Sequence, residues 1–246
     1  MELGMIVLVG LAAGVLGTGS GGLLAILSHR RMKMSLGTLL GLSGGVMLAV
    51  VFYELIPEAL EEGGFLVGMS GLLLGVALML MIDVLLPHVH LSGNEDKGRA
   101  GFVRTGMLLG MGIALHNLPE GLAIGTSLVH DESLGLTLAA VIALHNLPEG
   151  MAMAIPLSAG RLSPLKVWGY TLLAGLPMGV GALFGGMFGR ISPMVLSIGL
   201  GFAAGAMLYI TCDELIPGAQ EHAKGHSATF GLVVGVLIGL ALLGAH

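Results

Sequence analysis

Residues 34–53 carry no charged side chain, and neither do residues 63–82. An apolar run of roughly 18 or more residues with few charges is long enough to cross a bilayer as a helix. Such runs follow one another along this chain with hardly a break. Soluble domains carry about 25% charged residues. Here the charged share is 10%, the hydrophobic share 55% and the mean hydropathy +0.96. The chain cannot cover itself with a solvated surface, so the sequence predicts an all-α polytopic membrane protein. A transmembrane barrel would need alternating segments of about ten residues, which the continuous Leu/Ala/Gly/Met runs do not supply. The 43 glycines suit helices that pack closely through small residues.

Charged and turn-rich breaks divide the 246 residues into eight expected transmembrane helices at about 4–28, 35–60, 64–87, 102–128, 133–158, 164–189, 193–219 and 226–245. They form one transporter-like domain, with the longest loop at 88–101. The N-terminus, MELGM, is acidic where a secretion signal would be basic, so the first apolar segment is expected to be the first span. Loops after the odd-numbered spans hold Arg30, Arg31, Lys33, Lys97, Arg99, Arg104, Arg161, Lys166 and Lys224, whereas the other side holds Arg190. The positive-inside rule then puts the odd-numbered loops in the cytoplasm and both termini outside. The single cysteine, Cys212, excludes an intramolecular disulfide framework. The net charge of −5 says little about partners on a surface that mostly faces lipid. The lipid bilayer is the expected partner and nucleic acid is not.

Two internal repeats organise the chain. The nine residues IALHNLPEG occur as Ile113 to Gly121 and again as Ile142 to Gly150, on the neighbouring spans 4 and 5. Span 2, GGVMLAVVFYELIPEA (Gly44 to Ala59), matches span 7, AGAMLYITCDELIPGA (Ala204 to Ala219), with ELIP at Glu54 to Pro57 and Glu214 to Pro217. Each pair is an odd number of spans apart, so its members run in opposite directions. The expected plan is 3+2+3: spans 1–3 and their inverted counterparts 6–8 around the antiparallel pair 4 and 5. Inverted repeats around a midplane site are a signature of secondary transporters.

The motif carries the chemistry. On a helix His116 and Glu120 are i,i+4 neighbours and Asn117 and Glu120 are i,i+3 neighbours, so the three share a face. His145, Asn146 and Glu149 repeat the arrangement, and both sets fall near the middle of their spans. Pro119 and Pro148 free the carbonyls of Leu115 and Leu144, and freed carbonyls at membrane depth need protein or a watery cavity. Two imidazoles with two carboxylates suit borderline divalent cations such as Zn²⁺, Fe²⁺ and Mn²⁺, whereas calcium and magnesium prefer all-oxygen sites. A His–Glu staple between helices is the blander account of one copy. Duplication on antiparallel spans, each copy with its proline, favours a metal site, because buried ionisable groups in a membrane are costly.

HNLPEG on span 4 and HNLPEGMA on span 5, in an eight-span chain, resemble the ZIP (Zrt/Irt-like) divalent-metal transporters, and more narrowly the compact bacterial members without a His-rich extension. The resemblance covers essentially the whole chain. It implies a transporter rather than an enzyme, a bacterial inner-membrane location, and a metal site between spans 4 and 5 with His116, Glu120, His145 and Glu149 as primary ligands. Asn117 and Asn146 would belong to an adjoining second site, and Met47 of span 2 would join the primary one. Met47 is also one of 16 methionines, which commonly fill packing gaps. Many members carry a Glu before a proline on span 6. Here Leu176 precedes Pro177, so the second site lacks a carboxylate and one principal site is expected.

Softer signals concern the access routes. Glu54 and Glu214 are equivalent acids near opposite mouths, and Asp213 and Asp83 lie near the inner one. Cytoplasmic His88, His90, His222 and His226 are candidates to receive outgoing metal, and His130 with Asp131 and Glu132 is a candidate collector outside. The blander account is a carboxylate snorkelling to the interface for Glu54 and Glu214, and a solvated polar loop for the histidines. The predicted function is transport of Zn²⁺, with Fe²⁺, Mn²⁺, Co²⁺ or Cd²⁺ as further substrates, into the cytoplasm by alternating access. A selective channel would use the same ligands. An intramembrane zinc hydrolase is disfavoured, since H-E-x-x-H is absent and both glutamates are needed as ligands. Metal is expected as substrate and not as prosthetic group, and a homodimer is compatible with the sequence.

Overall fold

The computed structural model describes residues 1–28, 36–85 and 99–244, and among them every regular element is helical. Among the described residues six helical stretches, some of them joining several elements, are long and apolar enough to cross a membrane, and Ser227–Leu243 is apolar but shorter. The chain is a multi-pass membrane protein. The elements are α1 (Leu3–Ser28), α2 (Leu36–Val50), α3 (Ile56–Leu85), α4 (Arg99–His130), α5 (Glu132–Ala159), α6 (Pro164–Gly175), α7 (Pro177–Phe188), α8 (Pro193–Ile210), α9 (Ile216–Glu221) and α10 (Ser227–Leu243), with π-helical turns at Val51–Leu55 and Thr211–Leu215. Asp131 caps α5, its carboxylate accepting from the Leu134 amide at 2.8 Å, and Ser192 caps α8 through Val195.

Leu36–Ile82 forms one apolar stretch of 47 residues. A straight helix of that length measures about 70 Å, more than twice the ~30 Å hydrocarbon core. Gly64 divides it, with φ 76° and ψ 169°, a conformation open essentially to glycine alone. The division falls where the sequence separates spans 2 and 3. The expected span at 164–189 is interrupted as well. Pro177 has no N–H to donate, so α6 ends at Gly175, the Leu176 amide bonds Leu173 in a tighter turn, and α7 begins at Pro177.

The ELIP repeat proves to be a repeat of backbone geometry. Ile56 donates five residues back to Val51 and Ile216 donates five back to Thr211. In both places the next residue is a proline, Pro57 or Pro217, whose ring would strike the carbonyl four residues earlier. Widening the helix by one residue per turn relieves that crowding. Periodicity in a uniformly apolar segment gives no sign of such turns.

Packing sorts the helices into two groups. α1, α4, α5, α6 and α7 pack on one another, while α2 lies on α10 and α3 lies on α8. Glycines set the distances. A Cβ on Gly45 would stand 2.1 Å from the carbonyl oxygen of Leu232, and one on Gly205 would stand 2.0 Å from that of Leu72. Both residues of the second pair are displaced by 160 positions from the first (205 − 45 and 232 − 72). Gly41 on Ala228 and Gly201 on Gly68 follow the same rule, as do Gly231 on Thr38 and Gly71 on Ile198. The α2–α10 contact is thus repeated as the α8–α3 contact. The offset between ELIP copies recurs in the partners they pack against.

Candidate metal centre

The two motif copies meet at the contact between α4 and α5. Asn117, Glu120, Asn146 and Glu149 are wholly buried, and His116 and His145 are buried to within 3%. The glycine that ends each motif lets the helices approach this closely. A Cβ on Gly121 would lie 1.9 Å from the Met178 carbonyl oxygen of α7, and one on Gly150 would lie 2.0 Å from the Thr18 carbonyl oxygen of α1. Each motif helix is therefore held backbone to backbone against a neighbour at the residue that follows its glutamate.

Glu120, His145 and Glu149 each place one ligand atom within 4.8 Å of the other two. Glu120 Oε1 is 3.1 Å from His145 Nε2, and Glu149 Oε1 accepts from Ser43 Oγ at 2.9 Å. The second oxygen of each carboxylate is buried without a hydrogen-bond partner. Unpartnered buried acceptors are costly, and a cation placed between them would satisfy both. His116 is arranged differently from its counterpart. Neither of its ring nitrogens has a hydrogen bond, and Nε2 is 3.6 Å from Glu214 Oε2 on the second π-turn.

Asn146 donates to Asn117 Oδ1 at 3.1 Å, and Asn117 donates to the Ala174 carbonyl of α6 at 2.8 Å. Leu176, at the span 6 position discussed above, is exposed. Met47 is fully buried, and its sulfur lies 3.7 Å from Thr211 Oγ1. Glu54 is buried with Oε1 unpartnered, whereas Asp213 is exposed beside Glu214. His222 Nδ1 lies 2.9 Å from the Gly218 carbonyl of its own turn, and His226 is exposed. Asp83 falls on α3, and His88 and His90 lie outside the described residues.

Two polar residues that sequence reasoning passed over belong to this centre. Ser43 donates to Glu149 at 2.9 Å with the His145 carbonyl also within 3.2 Å, and Thr211, whose hydroxyl donates to the Met207 carbonyl at 2.8 Å, stands against the Met47 sulfur. The repeat offered a signal for both. At the 160-residue offset Ser43 faces Ala203 and Thr211 faces Val51, so a hydroxyl stands in one copy where the other is apolar.

The fold and this centre define a membrane protein of several spans with a buried His/carboxylate cluster between two helices. A family model described as "ZIP Zinc transporter" matches residues 87–245, more than half of the chain. A zinc transporter ZupT of Corynebacterium aurimucosum is 35% identical over 239 residues, covering 91% of this chain and 90% of the relative. A ZupT of Streptococcus mutans is 32% identical over 239 residues with the same coverage. The zinc transporter ZIPB of Bordetella bronchiseptica is 35% identical over 242 residues, covering 94% of this chain and 77% of the relative. The chain belongs to the ZIP zinc transporter family and is not an enzyme.

Proposed function

We infer that this protein carries Zn²⁺ into the cytoplasm by alternating access at the α4–α5 cluster, with Fe²⁺, Mn²⁺, Co²⁺ and Cd²⁺ as further substrates. The observation that carries this reading is the pair of carboxylates, Glu120 and Glu149, buried beside His145 with one unpartnered oxygen each. His116 completes the ligand set once its ring turns from Glu214 toward the cluster, with Met47 as a fifth donor and Asn117 and Asn146 in an adjoining second site. The relatives' zinc-transporter names favour Zn²⁺ among the cations that such donors accept.

The proposed architecture is eight spans in the 3+2+3 plan, with both termini outside and the membrane a bacterial inner membrane. The 160-residue recurrence of the glycine contacts and the break at Gly64 support it. In this arrangement α1, α4, α5, α6 and α7 move as a body against α2, α3, α8 and α10. Polar ties bridge the two groups, Ser43 to Glu149 and His116 to Glu214. Such contacts are made and broken as the site turns from one side to the other. Release has a chemical route, because a metal-bound imidazole must be neutral and a metal-bound carboxylate ionised, so protons compete with the ion. In this reading Glu214, 3.6 Å from His116, takes the ion onward and Glu54 hands it in.

A carrier and a channel differ in one kinetic property. Proteoliposomes preloaded with unlabelled Zn²⁺ are expected to take up external ⁶⁵Zn²⁺ faster than empty ones, because the loaded site returns more readily than the empty one. Uptake that saturates and is accelerated from the trans side supports alternating access. Uptake that is non-saturating and slowed by internal Zn²⁺ contradicts it.

A further inference from the structure

A second group of metal-ligating side chains lies apart from the α4–α5 cluster. His130, the last residue of α4, stands between two carboxylates of α3, with Nε2 2.6 Å from Glu58 Oε1 and Nδ1 3.1 Å from Glu62 Oε1. One ligand atom from each of the three lies within 4.8 Å of the other two. All three are partly exposed, His130 at 29%, Glu58 at 19% and Glu62 at 21%, so an ion could reach them from water. Glu54, Glu58 and Glu62 follow at four-residue steps along one chain segment.

A second observation comes from the adjoining cavity. Glu58 and His130 line a cavity of about 290 Å³ that is also lined by Glu54, Asp131 and Leu243. Glu54 is only 9% exposed, and its Oε1 has no hydrogen-bond partner. Glu54 thus lines the cavity while keeping a buried carboxylate oxygen that no donor satisfies, and such an oxygen calls for a cation or water. Asp131 does not serve this need, since its carboxylate is occupied by the Leu134 amide.

The geometry points to a divalent transition-metal site formed by Glu58, Glu62 and His130, with Glu54 as the inner carboxylate that receives the ion next. Zinc binds such nitrogen and oxygen donors at about 2.0–2.2 Å, which places its ligands roughly 3.4 Å apart. The two carboxylates now engage opposite nitrogens of the His130 ring, at 2.6 and 3.1 Å, so binding requires the side chains to turn until both carboxylates and one ring nitrogen surround the ion. In the orientation proposed above this mouth faces outward, and that sidedness alone rests on the transport reading. The site also joins α3 of one helix group to α4 of the other.

Equilibrium dialysis of the purified full chain in detergent against ⁶⁵Zn²⁺ tests the site without any need for transport. The wild type is expected to bind one more Zn²⁺ than His130→Ala, and Glu62→Gln is expected to weaken that additional ion by at least about tenfold. Glu62→Gln keeps the side-chain volume and guards against a folding defect in the alanine variant. Equal stoichiometry and affinity in all three proteins would overturn the proposal and leave the cluster as an ion pair. The missing equivalent in the variants of a protein that transports nothing would sustain this site while refuting the transport reading.

Discussion

Glu120→Gln is expected to weaken zinc binding by at least about 100-fold while leaving the metal-free protein no less stable than the wild type. The two halves of this result have one cause. Glu120 and Glu149 are fully buried close together, each with an oxygen that no protein group satisfies. A divalent ion placed between them would be held by both negative charges. Without the ion the same charges oppose each other. Glutamine keeps the shape and still reaches His145, but it removes one of the charged donors. Loss of even an outer-shell partner commonly costs 10–100-fold in metal affinity, and a direct ligand is worth more. At a zinc concentration 100 times the wild-type Kd, the bound ion stabilises the folded protein by about 2.7 kcal/mol. With a Kd 100-fold weaker the same concentration contributes only about 0.4 kcal/mol. Thermal unfolding in detergent, with and without Zn²⁺, reads both quantities. A variant that keeps the full zinc-dependent shift, or loses stability without metal, would show that Glu120 is a structural staple.

The second large effect concerns the motif glycines. Gly121→Ala and Gly150→Ala are each expected to cost about 3 kcal/mol or more by overpacking, reduced by the roughly 1 kcal/mol that alanine gains over glycine within a helix. The new methyl would stand 1.9 Å or 2.0 Å from a backbone carbonyl oxygen. Backbone cannot rotate aside as a side chain does, so the α4–α7 or α1–α5 contact must open. The expected result is a lowered unfolding midpoint and a smaller folded fraction in the membrane. Gly169→Ala on α6 is the control, because a Cβ there meets nothing within 4 Å. That variant should be neutral or gain up to about 1 kcal/mol from helix propensity. Similar behaviour of all three variants would mean that the glycines do not set the helix spacing.

The division between what could and could not be read from the sequence has a physical basis. Glu120, His145 and Glu149 were legible as one cluster because ionisable residues in an apolar run announce themselves, and their duplication on antiparallel spans favoured a shared site. The 160-residue repeat was legible for the same reason, since ELIP interrupts an otherwise uniform stretch. Which face of each helix turns inward was not legible. Lipid and protein interior are equally apolar, so hydrophobic periodicity carries little information about burial in a membrane. That is why Ser43 and Thr211 were missed, although each breaks the match between the repeats. His116 was expected to behave as the twin of His145, yet it lies beside Glu214. Symmetry of sequence fixes equivalent positions but not equivalent side-chain partners. The π-turns and the interruption at Pro177 likewise reflect how a backbone accommodates proline, which composition alone does not decide.

The family sets metal transport as the context for these residues, and the open question is whether the ion passes through this cluster. The most direct measurement is ⁶⁵Zn²⁺ uptake into proteoliposomes that contain the wild type, His116→Ala or Glu149→Ala at matched protein content. The account predicts saturable uptake by the wild type and a fall of at least about 100-fold in both variants, in line with the loss of a direct ligand. Undiminished uptake by either correctly folded variant would contradict it and place the route of the ion elsewhere in the helix bundle.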